Sequence, residues 1–221
     1  MFEPNPKPRV FGIAPGADFP VALADGLRAR MSGKPPEAMA RVEVIVNTAR
    51  MKERLLSTLV SQGPGFLPRI RLIEDLADTE VPENPLRSRL ALAQAIRALL
   101  QQEPDLGPST AAFSLADSLF RLLDEMQGEG VTPDDIAQID VTDQSGHWAR
   151  AQKFISIAQA YIDTIDSAPD PEARRRATVL KLATHWAIAP PRDPILIFGS
   201  TGSRGTTQLL MQAVAHLPQG A

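Results

Sequence analysis

The chain has 221 residues, a formal net charge of −3, no cysteine and three scattered histidines, His147, His185 and His216. That length suits one large domain or one domain carrying an insertion, and the charge gives no global basicity of the kind that announces nucleic acid, although a local basic face can sit on an acidic chain. Disulfides, thiolate metal sites and a cysteine nucleophile are excluded, and the histidines lack any H-x-x-x-H pairing.

In chain order, "RVFGI" (Arg9 to Ile13) is a short apolar run before "APGADFP". "VALADGLRARM" then repeats apolar positions at Val21, Leu23/Ala24, Leu27 and Met31. This reads as strand, Pro/Gly turn and helix, with Asp18 as N-cap and Pro20 in the first turn. "RVEVIV" (Arg41 to Val46) is a second strand, followed by a helix carrying Met51, Leu55, Leu56 and Leu59 on one stripe. "PRIRLI" (Pro68 to Ile73) is a third strand. Strands separated by helices of this length predict a parallel α/β sheet with right-handed crossovers.

From residue 84 the character changes to helix alone. One helix places Leu86, Leu90, Ala93, Ile96 and Leu100 at helical spacing, and the next Ala112, Leu115, Leu119, Leu122 and Met126. "HWARAQKFISIAQAYIDTI" follows with Trp148, Ala151, Ile155, Ala158, Ile162 and Ile165. A fourth helix opens with Asp170 as N-cap and Pro171 at its first position, and its pattern buries Ala177, Leu180, Ala183/Thr184 and Ala187. "PILIF" then returns to strand. The predicted organisation is an α/β part at 1–83, a helical insertion at 84–191 bounded by "EVPENP" and "APPRDP", and the α/β part again at 192–221.

"ILIFGSTGSRGTTQLLMQAV" (195 to 214) has the layout of a phosphate-cradling loop: buried strand, glycine-rich turn, helix. A Walker A loop requires G-x-x-x-x-G-K-[ST], whose lysine reaches the β- and γ-phosphates. Gly199 and Gly205 stand one residue too far apart, and Thr206 occupies the lysine position. The dinucleotide pattern G-x-G-x-x-G fails as well, since the next glycine after Gly199 is Gly202. The residues fit a tight strand-to-helix turn.

The chain resembles the N-terminal region of AddB, the second subunit of the bacterial AddAB helicase-nucleases that repair double-strand breaks, in its alphaproteobacterial form. The resemblance is carried by "RVFGIAPGADFPVALADGL", "FLPRIRLIEDL", "LFRLLDEMQGEGV", "HWARAQKFISI" and "PILIFGSTGSRGTTQLLMQAVAHLPQGA". It implies a RecA-like, superfamily I helicase-like parallel sheet, incomplete here and interrupted by a helical insertion, within a longer subunit. It implies DNA and the AddA motor subunit as partners. An iron-sulfur cluster and Mg²⁺ are then expected only in a C-terminal nuclease part, not in these residues. In an active motor of this family the Walker A loop follows the first strand, where this sequence writes "GIAPGADFP". Gly12 and Gly16 remain, no lysine follows, and Asp18 brings a negative charge where triphosphate would lie. The domain is therefore expected to be non-catalytic.

"VNTARMKERL" stands where the motor family touches single-stranded DNA. Thr48 and Arg50 match the B-subunit pattern, whereas Ala49 and Glu53 depart from it. A hydroxyl and a guanidinium at a helix N-terminus can bind phosphate; an N-cap threonine beside a solvated arginine accounts for the same residues. Arg174, Arg175 and Arg176 form the densest basic run and read as a solvated face. Trp148 reads as core, while Trp186 fits either core or a base-stacking platform. Asp124 and Glu125 lie in a helical context, which is wrong for a strand-end Mg²⁺ motif.

No apolar run is long enough for a signal peptide or a membrane span, so a cytoplasmic location is expected. The second functional reading is a stand-alone nucleotide or phosphometabolite enzyme using the turn at 199–207.

Overall fold

A computed structural model of the chain describes residues 1–3, 5–76, 85–102, 104, 107–138, 155, 171–200, 202 and 204–221. The regular elements, in order, are α1 (Phe19–Met31), β1 (Glu43–Val46), α2 (Ala49–Ser61), β2 (Arg69–Leu72), α3 (Pro85–Gln102), α4 (Ala112–Glu129), α5 (Pro133–Ala137), α6 (Pro171–Ile188), β3 (Ile195–Phe198) and α7 (Gly205–Ala215), with short 3₁₀ turns between them. They form two compact units, residues 1–78 with 177–221, and residues 79–176. The helical unit thus closes at Arg176, within α6, where the sequence pattern alone puts the return to α/β at 192.

The first unit is built on a three-stranded sheet in the order β2-β1-β3. Both pairings are parallel, with Glu43 opposite Arg69 and Ile195, and Val46 opposite Leu72 and Phe198. Side chains alternate across a strand, and the two faces are filled from different helices. Val44, Val46, Leu196 and Phe198 meet Ala24 and Leu27 of α1 and Leu55 and Leu59 of α2. Ile45 and Ile195 meet Val179 of α6 and Leu210 and Val214 of α7. Burial on both sides is why β1 reads as a continuous apolar run rather than an alternating one. β2 alternates instead: Ile70 and Leu72 pack on the α1/α2 side, and Arg69 and Arg71 pair with Glu43 at 3.9 and 3.3 Å. Charged side chains on such an edge discourage further strand pairing.

Helix starts follow their sequence signals. Asp18 caps α1 by accepting the Val21 N–H at 3.2 Å, and proline stands in that first turn. Thr48 caps α2 by accepting the Met51 N–H at 3.2 Å. Arg28 of α1 donates to the Leu59 and Gly63 carbonyls at 3.0 and 3.2 Å, tying α1 to the C-terminal end of α2.

In the second unit, Leu92, Ala93, Ile96 and Leu100 of α3 pack with Ala112, Ala116, Leu119, Leu123 and Met126 of α4, joined by Ile136 and Ile155. α4 ends on Gly130 with φ +75°, the left-handed conformation that glycine adopts without a Cβ penalty. Thr132 and Asp135 then form a reciprocal capping box on α5.

The structure corrects several expectations. Arg9 to Ile13 is not a strand: Val10 and Phe11 are 82% and 55% exposed, and the place beside β3 is held by residues 219–221. On α4 the buried face passes through Leu123, and Leu122 is exposed; the sequence offers two adjacent leucines and contact with α3 selects one. Leu86 and Leu90 of α3 and Leu56 of α2 are likewise exposed, and among the described residues of α3 the first buried one is Leu92. On α6 the buried residue is Val179, with Leu182, Ala183 and Trp186 half-buried, while Ala177, Leu180, Thr184 and Ala187 face outward. This helix is apolar around much of its girth, and small alanines give the pattern no clear phase. Asp170 and the helix expected around Trp148 lie outside the described residues, apart from the buried Ile155.

Candidate functional site

The chain leaves β1 through α2 on one face of the sheet and leaves β3 through α7 on the other. The carboxyl ends of β1 and β3, where the chain diverges to opposite faces, are the edge at which open parallel sheets bind ligands. Three helix starts meet this edge. α2 begins directly after β1, α7 begins after the turn that follows β3, and α1 is drawn in by the stacking of Phe19 on Phe198, ring centroids 4.5 Å apart.

The glycine-rich turn and the first turn of α2, far apart in sequence, come together here through Met51 and Asn47. Gly199 has φ +72°, and a Cβ at that position would lie 3.2 Å from Met51 Cε and 3.8 Å from Asn47 Oδ1. Gly199 is therefore required twice, for its left-handed backbone and for the close approach of the first turn of α2. The Met51 side chain occupies the space beside the turn. Gly202, φ +65°, lies against the Met211 sulfur and donates its N–H to Ser200 Oγ at 3.4 Å. Gly205 is the first residue of α7, preceded by Arg204 at the cap position. Thr206 is buried.

Thr48 and Arg50 are both solvent-exposed at the start of α2. The Thr48 hydroxyl oxygen serves as the helix cap, which leaves its O–H able to donate. Arg50 lies in the first helical turn, where the macrodipole adds to its attraction for an anion.

The turn after Arg9–Ile13 is closed from within the chain. Gly16 has φ +86°, and Gly12 is open on the side where a Cβ would stand. Asp18 Oδ1 accepts from the Val21 N–H, and its Oδ2 accepts from the Arg54 guanidinium at 2.7 Å. The Arg54 hydrogen bond, helped by the Val21 N–H, holds the Asp18 carboxyl below the usual carboxylate range. A carboxylate thus already sits on the N-terminus of α1, where a phosphate loop would place its anion.

Arg50, Glu53 and Arg54 are exposed in the first turns of α2 and Arg204 is exposed at the start of α7, with Arg54 paired to Asp18. Among the described residues no group of three His, Cys, Asp or Glu side chains is gathered to hold a metal ion.

The remaining candidates are dispersed. Arg175 hydrogen-bonds Glu172 within the same helical turn, and Arg176 donates to the Gly128 carbonyl at 3.1 Å. Both are half-buried, so these arginines hold the helical unit together and do not form the solvated face expected of them. Trp186 packs against Ile45, Val179, Leu210 and Val214 as part of the core. Asp124 and Glu125 lie within α4, away from any strand end. Trp148 and His147 fall outside the described residues, as do Thr201 and Ser203.

Two features had no local signal. The Asp18–Arg54 pair joins residues from different helices, and Met51 reaches Gly199 across the insertion. Only the glycine spacing hinted that the 199–205 turn is tightly approached. No helix among the described residues is long and apolar enough to cross a membrane. No family model and no curated protein matches the chain.

Proposed function

We propose that the α/β unit is a RecA-like, helicase-like domain without ATPase activity, belonging to an AddB-type subunit of a double-strand-break repair helicase-nuclease. It binds the DNA backbone through Thr48 and Arg50 and docks the AddA motor subunit. The observation that carries this reading is the carboxyl edge of the sheet. It keeps the cationic, helix-start geometry of a phosphate site, while Asp18 with Arg54 fills the first turn and Met51 fills the second. A side chain where triphosphate would rest argues against motor chemistry, and an exposed arginine at a helix start suits a backbone phosphate.

The test uses the chain purified together with its motor subunit. Arg50→Ala should weaken DNA binding and make the dependence of log K on log [salt] shallower by about 0.7–0.9, the slope of one lost phosphate contact. An unchanged affinity and slope would remove DNA from this site, and failure of the two chains to co-purify would remove the docking role. The competing nucleotide-enzyme reading has its own signature. ATP with Mg²⁺ at about 100 times its Kd would stabilise the chain by about 2.7 kcal/mol, and the proposed function requires no such shift.

A further inference from the structure

Two methionines close on the glycine-rich turn, one from the helix on each face of the sheet. Met51, in the first turn of α2, meets Gly199; a Cβ there would lie 3.2 Å from the methionine Cε and 3.6 Å from its Cγ. Met211, on α7, meets Gly202; a Cβ there would lie 3.1 Å from the sulfur and 3.9 Å from Cε. Both glycines are left-handed, with φ of +72° and +65°. Both methionines are half-buried, so each is packed in part and open in part to solvent.

Glycine visits the left-handed and right-handed regions about equally readily, so its own chemistry does not select between them. A side chain packed against each glycine makes the selection. The Gly202 N–H bond to Ser200 Oγ is long at 3.4 Å and a weak hold by itself. A thioether suits the task because it is unbranched and polarizable and fills irregular gaps. Met51 also packs on the apolar cluster that contains Val46 and Phe198, so its place beside Gly199 depends on its remaining apolar. Methionine is the apolar side chain whose polarity a mild oxidant changes.

We propose that Met51 and Met211 are a peroxide-sensitive pair that fixes the backbone at Gly199 and Gly202 while reduced and releases it once both sulfurs are sulfoxides. The oxidant is a hydroperoxide. A sulfur lone pair attacks the terminal peroxide oxygen, the S–O bond forms as the O–O bond breaks, and the second oxygen leaves as water or an alcohol with the hydroxyl proton. Sulfur gives up two electrons and the peroxide gains them; sulfoxide reductases reverse the change. On Met211 there is no room for the new oxygen toward Gly202, where the sulfur already lies 3.1 Å from the Cβ position, so the side chain withdraws. On Met51 the polar group leaves the apolar cluster. Since α7 starts directly after this turn and Met51 belongs to the first turn of α2, the change is delivered to two helix starts at one sheet edge. The inference rests on this packing and does not depend on the proposed function.

The full chain is exposed to hydrogen peroxide and followed by peptide mass spectrometry and amide hydrogen exchange. Met51 and Met211 should each gain one oxygen well before Met126, which is 6% exposed in the core of the helical unit. Peptides covering Gly199 and Gly202 should then exchange at least about tenfold faster, and treatment with methionine sulfoxide reductases should restore the slow exchange. The double variant Met51→Leu, Met211→Leu keeps apolar side chains that cannot take up oxygen, so its turn should not respond to peroxide, although Met31 and Met39 remain oxidisable on the core. Oxidation of Met51 and Met211 no faster than that of Met126, unchanged exchange at Gly199 and Gly202 after both are oxidised, or an equal response in the double variant would each overturn the proposal. The first two results are read on the native sequence and stand even if the double variant does not fold. None of them measures DNA affinity or co-purification with AddA, so the two readings fail separately.

Discussion

Arg9→Met isolates the contribution of a buried guanidinium, because methionine preserves most of the apolar stem while removing every donor. The residue is 8% exposed, and its guanidinium is held by the carbonyls of Leu217 at 3.0 Å, Gly220 at 3.3 Å and Glu3. It also lies 5.1 Å from the Phe2 ring centroid. A hydrogen bond to a charged group contributes about 1.5–3 kcal/mol. The Leu217 bond takes the larger share, the longer Gly220 bond a smaller one, and the ring adds about 0.5–1 kcal/mol. Removing the guanidinium recovers part of its desolvation cost, which brings the expected loss to about 3 kcal/mol. For a unit of this size that corresponds to a fall in Tm of roughly 10 °C. Thermal unfolding followed by circular dichroism gives the number, and hydrogen exchange at 217–221 should accelerate with it. Arg30→Met is the control, since Arg30 also lies over the Phe2 and Phe11 rings but is solvent-exposed; its cost should stay below about 1 kcal/mol. If Arg9→Met melts with the parent, or if both variants fall equally, the buried carbonyl bonds are not what holds the 217–221 segment.

Asp18→Asn should destabilise the chain at pH 7 and progressively less as the solution is acidified. The folded-state carboxyl is depressed by Arg54 and the Val21 N–H, so its stabilisation is present above the unfolded pKa of about 3.9 and disappears as pH falls through the lower folded value. Urea titrations at pH 7 and pH 3 check this, and a constant difference would refute it. Gly130→Ala should cost about 2 kcal/mol, because its φ is +75° and the new Cβ would strike the Arg176 guanidinium that bonds Gly128; the denaturation midpoint of the helical unit reads it. Trp186→Ala should remove about 2 kcal/mol of packing and leave DNA affinity as it was, measured by anisotropy with a single-stranded oligonucleotide. Lost binding in a folded variant would restore the stacking role.

What was legible in the sequence followed from how local its causes are. Asp18, Pro20 and Thr48 act on the turn that contains them, so their capping roles are written in adjacent residues. β1 and β3 announce themselves because burial on both faces demands an unbroken apolar run. Phase was harder. Choosing Leu123 over Leu122, or Val179 over Leu180, depends on the position of a neighbouring helix, and the sequence contains an apolar residue at each alternative. Strand composition at Arg9–Ile13 was correct as composition, yet a strand is defined by a partner and β3 is occupied by 219–221 at that point. The site divides the same way. Thr48 and Arg50 were visible as a pair, whereas the approach of Met51 and Asn47 to Gly199 is created by the β1–β3 pairing.

That pairing sets an order of events during synthesis. β1 finds β2 after a single helix, but Glu43 meets Ile195 about 150 residues later. With translation running at about 5–20 residues per second, the other edge of β1 emerges roughly 8–30 seconds before its neighbour exists. Throughout that interval Val44, Ile45 and Val46 belong to a nascent chain whose sheet is open on its apolar side, the condition in which unpaired strand edges recruit wrong partners. The helical unit, residues 79–176, is made in the meantime, so closing β1 on β3 is the pairing with the longest intervening loop in the sheet.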